Sequence, residues 1–526
     1  MSTTSAVQSK TQQTKGLMEK ILKGYDPKLF WPVLTFFLII LICAVAFPKE
    51  TEKTFITARN FMIFNFSWAI LLGVGFTLFF CIYLIFSPYA DIKLGKEDDI
   101  PDFSFSAWIA MLFSCGLGIG FVFYSVTEPL IHLYKAPYIA DAGLTGTAAG
   151  IPRAIHLTLL DWGLHGWALF VVAGWAIAYP AYRLGKPMTV ATGLYGILGD
   201  RCNSSIWGRL ADGLGALGTI GGTATMMGLG VASISFGINQ IFGVQLDNVG
   251  KIILMLFLIA AYVISAASGV EKGIKILSQT NMTLAGILLL IILFWGPAPT
   301  NYLLNMITQM TGDYVTKLVE FSFWSDVEGL KQREWLGWWV VFYWLWYISY
   351  IPFCGGFIAR ISRGRTLKEF VVGVMVVPMI LTVLWFCIWG GSATYADVSG
   401  IVPLWEKVQL NNEAGIYLLL GSMKGGWWLS LIVLTNLIIF AVTTADSASF
   451  FIAMQMTKGS FNPSIAMRLL WGAIIGLTGI LFQLTGGFAA IKSLAIVLGG
   501  PFFFVSIAFI VSTYKMLKMT RENRFN

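Results

Sequence analysis

The chain has 526 residues, of which 57% are hydrophobic and only 12% are charged, and its formal net charge is +8. This balance excludes an ordinary soluble globular protein, and a nucleic-acid partner is not expected because the basic residues lie between apolar runs. Those runs recur from Phe30 to Met516. Each is close to the ~20 residues that cross a bilayer as a helix, and none alternates like a barrel strand. The composition predicts an all-α polytopic membrane protein surrounded by the lipid bilayer.

The apolar runs divide the chain into a transmembrane domain and two polar tails. Residues 1–25 are predicted to form a cytoplasmic tail, residues 26–514 the transmembrane domain, and residues 515–526 a short cytoplasmic tail. Basic residues concentrate in alternate loops, which predicts a multi-pass protein of the cell (inner) membrane with both termini in the cytoplasm. About twelve spans are predicted, at residues 30–48, 61–88, 104–127, 155–182, 213–242, 250–269, 278–296, 335–360, 369–391, 426–456, 466–484 and 489–514.

Glycines interrupt two of these spans. The third contains "SCGLGIGF" at residues 114–121, and the eighth contains "PFCGGF" at residues 352–357. Glycine permits non-helical backbone, and the backbone groups that a broken helix frees are tolerated inside a bilayer where they face protein, an ion or a wet cavity. Two matched breaks predict an inverted repeat, with spans 3–7 at about residues 104–296 and spans 8–12 at about residues 335–514. Tight packing of small residues is the alternative for either cluster alone.

Aromatic side chains accompany the interrupted spans. The fourth span contains "DWGLHGWALF" and the eighth contains "FYWLWYISY". Ring faces stabilise a cation that cannot donate hydrogen bonds by ~0.5 to 2 kcal/mol per contact. Because Trp and Tyr also gather at the headgroup level, an interfacial location is the alternative. Asp161 and His165, four positions apart, would share a helix face, either as a functional pair or through a local hydrogen bond that holds the helix.

Two pairs of threonines offer oxygen ligands within the spans. Thr219 and Thr223 lie one turn apart in the fifth span, and Thr443 and Thr444 are adjacent in the tenth. Hydroxyl oxygens suit a small alkali cation, although hydroxyls in membrane helices also bond to the backbone four residues earlier. The chain has three histidines and no nucleophile or metal-ligand motif, so we predict that it is not an enzyme. The sequence contains no selectivity-filter motif, so we do not expect a channel.

An amphipathic segment follows the seventh span. Residues 301–323 space their apolar side chains at three and four, which predicts a helix along the outer membrane surface. Such a helix could pack against the spans or a neighbouring subunit, or be an ordinary extracellular loop helix.

Together, four strings resemble the betaine/carnitine/choline transporter (BCCT) family over about residues 26–518. They are "GLGIGFVFYSVTEPL", "DWGLHGWALF", "FYWLWYISYIPFCGGFIARISRGRT" and "TTADSAS". The resemblance implies a leucine-transporter-like 5+5 inverted repeat preceded by two extra helices. It also implies a homotrimer assembled through the outer amphipathic helix, transport of trimethylammonium compounds, and sodium as the coupling ion, without another cofactor.

The resemblance also implies roles for individual residues. Phe123 and Phe353 match the gates on either side of the substrate site. The residues that match an aromatic box for the substrate are Trp162, Trp167, Phe170, Trp346, Tyr347 and Tyr350.

The same resemblance implies two sodium sites. Their ligands come from the third, fifth, eighth and tenth spans. The matching residues are Ser114, Leu117, Phe440, Thr443 and Thr444 for one site, and Thr219, Thr223 and Phe353 for the other.

The expected function is sodium-coupled uptake of a small quaternary ammonium solute, such as glycine betaine, choline or carnitine, by alternating access. Threonines stand where sodium-independent members have lost hydroxyls, which favours coupling. The chain departs from the family pattern at Asp161, where His is usual, and at Phe170, where Tyr is usual. The alternatives are a sodium-independent exchanger, or a transporter of trimethylamine or of a taurine- or ectoine-like osmolyte.

Overall fold

The computed structural model describes residues 24–116, 118–268, 275–325, 327 and 330–522, and within these ranges it contains helices but no β-strand. Within the same ranges, four short 3-10 turns and one π-helical turn, Val372–Val376, supplement the α-helices. In chain order the α-helices are α1 Pro27–Ala46, α2 Pro48–Phe86, α3 Phe105–Gly116, α4 Gly118–Lys135, α5 Pro137–Ala140, α6 Ile151–Trp162, α7 Leu164–Leu184, α8 Tyr195–Leu198, α9 Ile206–Phe242, α10 Asn248–Ser268, α11 Lys275–Trp295, α12 Thr300–Thr316, α13 Leu318–Ser322, α14 Leu330–Trp338, α15 Val340–Ile361, α16 Leu367–Val371, α17 Val377–Val398, α18 Leu404–Val408, α19 Gly415–Gly421, α20 Gly426–Met456, α21 Ile465–Gly499 and α22 Phe502–Arg521.

The predicted polytopic all-α architecture is confirmed. Eleven helices of the described part are long and apolar enough to cross a bilayer, and the bent pair α3 and α4 makes twelve spans. The boundary between the last two spans differs from the prediction. Residues 489–499 continue α21 beyond a bend at Gly487, whose φ is +59°, and the last span begins only at Phe502.

The first helices present apolar side chains outward, as a bilayer-facing layer does. Ile42 on α1 and Trp68 on α2 are each 64% exposed, and Phe76 on α2 is 60% exposed. An apolar surface of this kind is stable only when lipid or protein covers it. This outer layer therefore agrees with a multi-pass membrane protein.

The eighth span forms the centre of the molecule. In α15 every residue except Arg360 is buried, and α7, α9, α20 and α21 pack against it. A helix that is apolar all round is expected to lie inside the protein. The aromatic stretch of this span therefore faces protein on every side, which excludes the interfacial alternative for its side chains.

The predicted break at residues 352–357 is wrong, because α15 continues through them to Ile361. The two glycines serve close helix packing instead, which was the alternative. A Cβ at Gly355 would lie 2.8 Å from the Cβ of Ala173, and one at Gly356 would lie 1.8 Å from the Phe451 ring. The eighth span is instead interrupted near its start, at Trp339.

The inverted repeat consequently loses the matched breaks on which its prediction depended. A break is present in the third span, but its counterpart in the eighth span is not at the glycine pair. The division into residues 104–296 and 335–514 stays a prediction.

The predicted amphipathic helix corresponds to α12 and α13. The buried side chains of α12 follow helical spacing, and the helix packs against α6 and α17. Its opposite face is open, with Val315 67% exposed and Leu304 49% exposed. The buried side chains are Leu303, Met306, Met310 and Tyr314.

Two loops at the predicted cytoplasmic end join the first half of the chain to the second. The Leu94 amide donates to the Arg365 carbonyl at 2.9 Å, and an Arg363 nitrogen lies 2.9 Å from Asp99 Oδ1. The backbone amide of Lys96, at 2.8 Å from Asp99 Oδ2, and the Arg363 guanidinium lower the pKa of Asp99. This carboxylate therefore stays ionised where it fastens the two loops.

Candidate functional site

The third span breaks where the sequence predicts it. The segments Phe105–Phe113 and Gly118–Lys135 differ in direction by 65°. A Cβ at Gly118 would lie 1.8 Å from the Phe440 ring, so only glycine allows α4 to begin against α20 at this point. Two of the predicted sodium ligands fall here, but Leu117 and the side chain of Ser114 lie outside the described residues.

A second break, which the sequence reasoning missed, divides the fourth span. Helix α6 ends at Trp162 and α7 begins at Leu164, because Gly163 has non-helical dihedrals (φ −89°, ψ −149°). The Leu164 amide donates to the Tyr314 hydroxyl of α12 at 3.0 Å. A freed amide at this depth needs such a partner. Helix α12 therefore supports the break from outside.

This break overturns the predicted pairing of Asp161 with His165. The two residues lie on different helices and share no face. His165 Nε2 lies 2.8 Å from Ser322 Oγ, and its ring stacks on Trp344 with the centroids 4.6 Å apart. Asp161 instead faces His132, with Asp161 Oδ2 at 3.5 Å from His132 Nε2.

All six residues predicted for the aromatic box lie close to this second break. Their side chains are at most 1% exposed, so they face the interior of the protein. Within α7, the Trp167 and Phe170 ring centroids are 5.8 Å apart. The members are Trp162 at the end of α6, Trp167 and Phe170 on α7, and Trp346, Tyr347 and Tyr350 on α15.

In the structure, the box rings of α6 and α7 contact those of α15. The Trp162 centroid lies 6.3 Å from that of Trp346 and 6.4 Å from that of Tyr347. Phe170 lies 5.5 Å from Tyr347, and Trp346 lies 6.1 Å from Tyr350. The six rings thus form one continuous cluster at the junction of α6, α7 and α15, where their faces can stabilise a cation.

Other rings that the sequence reasoning did not select extend this cluster. The Trp162 centroid is 4.9 Å from that of Phe121 and 4.8 Å from that of Tyr343. Phe386 of α17 lies 5.8 Å from Trp162. Phe121 and Tyr343 belong to the strings "GLGIGF" and "FYWLWY", so their positions offered a signal, whereas Phe386 lies outside all such strings.

The two predicted gate residues lie beside the box on different helices. Phe353 follows the box along α15, with its ring 4.9 Å from that of Tyr350. Phe123 lies on α4, with its ring 4.8 Å from that of Tyr124, which in turn lies 5.8 Å from Trp162. Both gate side chains are buried.

The threonines predicted for the first sodium site differ in their hydrogen bonding. Thr443 donates to the carbonyl of Ile439 at 3.0 Å, which is the backbone bond typical of a helix hydroxyl. The buried hydroxyl of Thr444 has no hydrogen-bond partner among the described residues. Because a buried hydroxyl normally finds a partner, Thr444 is the better candidate for an ion ligand. Phe440 lies one turn earlier and contacts the start of α4.

Both threonines predicted for the second sodium site have free hydroxyls. The Thr219 and Thr223 hydroxyls are fully buried, and neither has a hydrogen-bond partner in the described part of the chain. The neighbouring Gly222 packs against α15, where a Cβ would lie 2.2 Å from Ser349 Oγ. This stretch of α9 therefore lies beside the helix that carries Phe353, as a shared site requires.

A buried acidic cluster adjoins the box. Glu128 Oε1 lies 3.4 Å from His132 Nε2, which lies 3.5 Å from Asp161 Oδ2, and one ligand atom from each residue lies within 4.8 Å of the others. All three side chains are fully buried. Two negative charges at this separation repel by roughly 3 to 4 kcal/mol at an effective dielectric constant of ~20. The cluster therefore favours binding a positive species.

Glu128 also holds two aromatic residues in place. Its Oε2 accepts a hydrogen bond from Trp162 Nε1 at 2.9 Å and another from the Tyr343 hydroxyl. Glu128 lies in the string "TEPL", but neither its position nor that of His132 indicated a meeting with Asp161. That meeting depends on how α4 and α6 pack.

A cavity lies near the cluster, on the predicted outer side. It has a volume of about 510 Å³, and Trp335, Trp339 and Lys492 are among its lining residues. Lys492 Nζ lies 3.8 Å from the Phe342 ring centroid and 4.8 Å from that of Trp339. The Trp339 ring lies 4.6 Å from that of His132. One aromatic wall thus separates the cavity from the acidic cluster.

The fold and the site define a polytopic membrane transporter. Comparison with known proteins agrees, since the model of the BCCT, betaine/carnitine/choline family transporter, matches residues 28–522. The chain belongs to the betaine/carnitine/choline transporter family. It is 38% identical over 494 residues to the glycine betaine transporter OpuD of Bacillus subtilis, covering 94% of this chain and 95% of that protein. It is 32% identical over 502 residues to the high-affinity choline transport protein of Escherichia coli K12, covering 95% of this chain and 73% of that protein. It is a transporter and not an enzyme.

Proposed function

We propose that this protein is a sodium-coupled symporter that takes up a small quaternary ammonium solute by alternating access. The observation that carries the proposal is the buried cluster of six aromatic side chains at the junction of α6, α7 and α15. A quaternary ammonium head has no hydrogen to donate, so ring faces are its natural receptor. Relatives named for glycine betaine and for choline support the same class of solute.

Buried threonine hydroxyls without a hydrogen-bond partner among the described residues support sodium coupling. Thr219, Thr223 and Thr444 are buried beside the aromatic cluster or the helix break, and leaving a buried hydroxyl unpaired costs about 1–3 kcal/mol. These hydroxyl oxygens would coordinate a sodium ion, which would give each of them a partner. Each positive charge moved inward would add about 2.3 kcal/mol per 100 mV of membrane potential.

Uptake into proteoliposomes tests the solute class and the coupling together. We expect saturable uptake of glycine betaine or choline that requires an inward sodium gradient, and equal uptake in potassium-only buffer would contradict symport. Trp162→Ala and Trp346→Ala should each abolish sodium-dependent substrate binding followed by tryptophan fluorescence. Trp207→Ala is the control, because that side chain is 64% exposed on α9. Wild-type affinity in both box variants would show that the box is misplaced.

Isosteric substitutions test the hydroxyls. Thr219→Val and Thr444→Val remove one oxygen each and keep the volume, so we expect the sodium concentration for half-maximal uptake to rise about tenfold or more. Thr478→Val is the matched control, since the buried Thr478 hydroxyl already bonds to the Ile474 carbonyl at 2.7 Å. If all three variants behave alike, the free hydroxyls do not bind sodium.

We also propose a homotrimer in the cell membrane, assembled through α12. Its open face presents Val315, and Val319 on α13 is 61% exposed four residues later. Val315→Glu places a charge in such an interface and should convert the trimer to a monomer in native mass spectrometry. Asp313→Asn on the same helix is the control, and an unchanged oligomer in Val315→Glu would exclude this face.

A further inference from the structure

The acidic cluster beside the box can bind a further positive species. Asp161 is fully buried, and its Oδ1 has no hydrogen-bond partner within the described residues. His132 Nε2 lies between Glu128 Oε1 and Asp161 Oδ2 at 3.4 and 3.5 Å. Two carboxylates so close together in a dry region cannot both stay ionised without a positive partner. A proton is the smallest species that meets this need.

Trp162 connects the cluster directly to the substrate box. Trp162 Nε1 donates to Glu128 Oε2 at 2.9 Å, while the Trp162 ring belongs to the box. An ionised Glu128 accepts this bond strongly and adds negative charge behind the ring, which strengthens its attraction for a cation. One bound proton removes one of the two negative charges of the cluster and so weakens this attraction.

We propose that Glu128, His132 and Asp161 bind one exchangeable proton, which opposes a cationic head group in the box, so that substrate binding releases the proton. No bond other than that to the proton changes. The released proton passes to water, and the arriving ammonium group replaces its charge. The inference rests on the proposed function, because it requires a cationic solute in the box.

Other titratable or charged groups face the cluster from neighbouring helices. Tyrosine and arginine ordinarily titrate at about pH 10 or above, so they do not change charge near neutral pH. Lys492 is the rival group, because it is fully enclosed and close enough to interact with both carboxylates. The groups that interact with the cluster's carboxylates are Tyr124 on α4, Tyr343 and Tyr347 on α15, and Lys492 on α21. Arg59 on α2 interacts with Lys492, and Glu413 in the loop before α19 interacts with Tyr124.

Binding measured against pH tests the proposal on the full-length protein in detergent with saturating sodium. We expect choline affinity to fall about tenfold from about pH 8.5 to about pH 5.5, within the usual range of coupling between two sites. Glycine betaine, which carries its own carboxylate, should show a smaller change. In weakly buffered solution, a pH-indicator dye should report up to one proton released for each choline bound.

Variants assign the proton to the cluster. Asp161→Asn, which leaves the hydrogen bond between Trp162 and Glu128 intact, should reduce the pH effect to about twofold or less and abolish proton release. Lys492→Gln should retain both. Loss of the pH effect in Lys492→Gln with its retention in Asp161→Asn would overturn the proposal. If Asp161→Asn does not fold, His132→Gln and proton release by the wild type give the same decision.

The wild-type experiment separates the two proposals. Binding that is independent of pH and releases no proton would overturn this inference and leave the proposed function intact. Failure to bind either solute at any pH would contradict the proposed function itself.

Discussion

Removing the Tyr314 hydroxyl of α12 should destabilise the backbone at the break in the fourth span. Tyr314→Phe keeps the buried ring but deletes the oxygen that accepts the Leu164 amide at 3.0 Å. The amide has just lost its helical partner because the chain breaks at Gly163. An unsatisfied buried amide costs about 1–3 kcal/mol. We therefore expect the unfolding midpoint of the detergent-solubilised protein to fall by roughly 1–4 °C.

The same substitution should also affect function, because Trp162 is the last residue before the break. If the freed amide lets the backbone relax, the indole moves away from the rings of α15. We expect sodium-dependent substrate binding, followed by tryptophan fluorescence, to weaken by about threefold to tenfold. Both effects should appear together, since one hydrogen bond supports both the fold and the box.

Tyr302→Phe provides the matched control on the same helix. The Tyr302 ring contacts Tyr395 at 4.8 Å, and this contact does not need the hydroxyl. Its loss should change the free energy of unfolding by no more than about 0.5 kcal/mol. A Tyr314→Phe protein with the wild-type midpoint and affinity would refute the idea that α12 supports the break.

Two further predictions concern the loops at the predicted cytoplasmic end. Gly364 has a φ of +82°, and a Cβ there would lie 2.4 Å from a backbone carbonyl. Gly143 has a similar φ of +70° but open space around it. Gly364→Ala should therefore lower the unfolding midpoint more than Gly143→Ala does. Equal effects would mean that the backbone contact is unimportant. The pKa of Asp99 is lowered by a backbone amide and by Arg363, so its stabilising effect is present above about pH 4 and is lost as the pH falls through the lower folded value. The midpoint difference between wild type and Asp99→Asn should therefore shrink on acidification, and a difference that grows would contradict the assigned sign.

The structure changes how the aromatic eighth span is understood. Its glycine pair suggested a broken helix, yet α15 is continuous there because Gly355 and Gly356 admit the close approach of Ala173 and Phe451. Glycine spacing cannot distinguish an unwound turn from a tight helix contact, since both require the absence of a Cβ. Only the positions of neighbouring helices decide between them.

The sequence by itself determined the class of protein, the number of spans and the aromatic strings, because each depends on residue types within one continuous segment. Contacts between distant segments were decided by tertiary structure alone. Asp161 meets Glu128 and His132 because α4 and α6 pack side by side, and Tyr314 reaches the Leu164 amide from a helix 150 residues away in the chain. Local periodicity carries no information about such meetings, because it describes the face of a helix and not the element that will cover it.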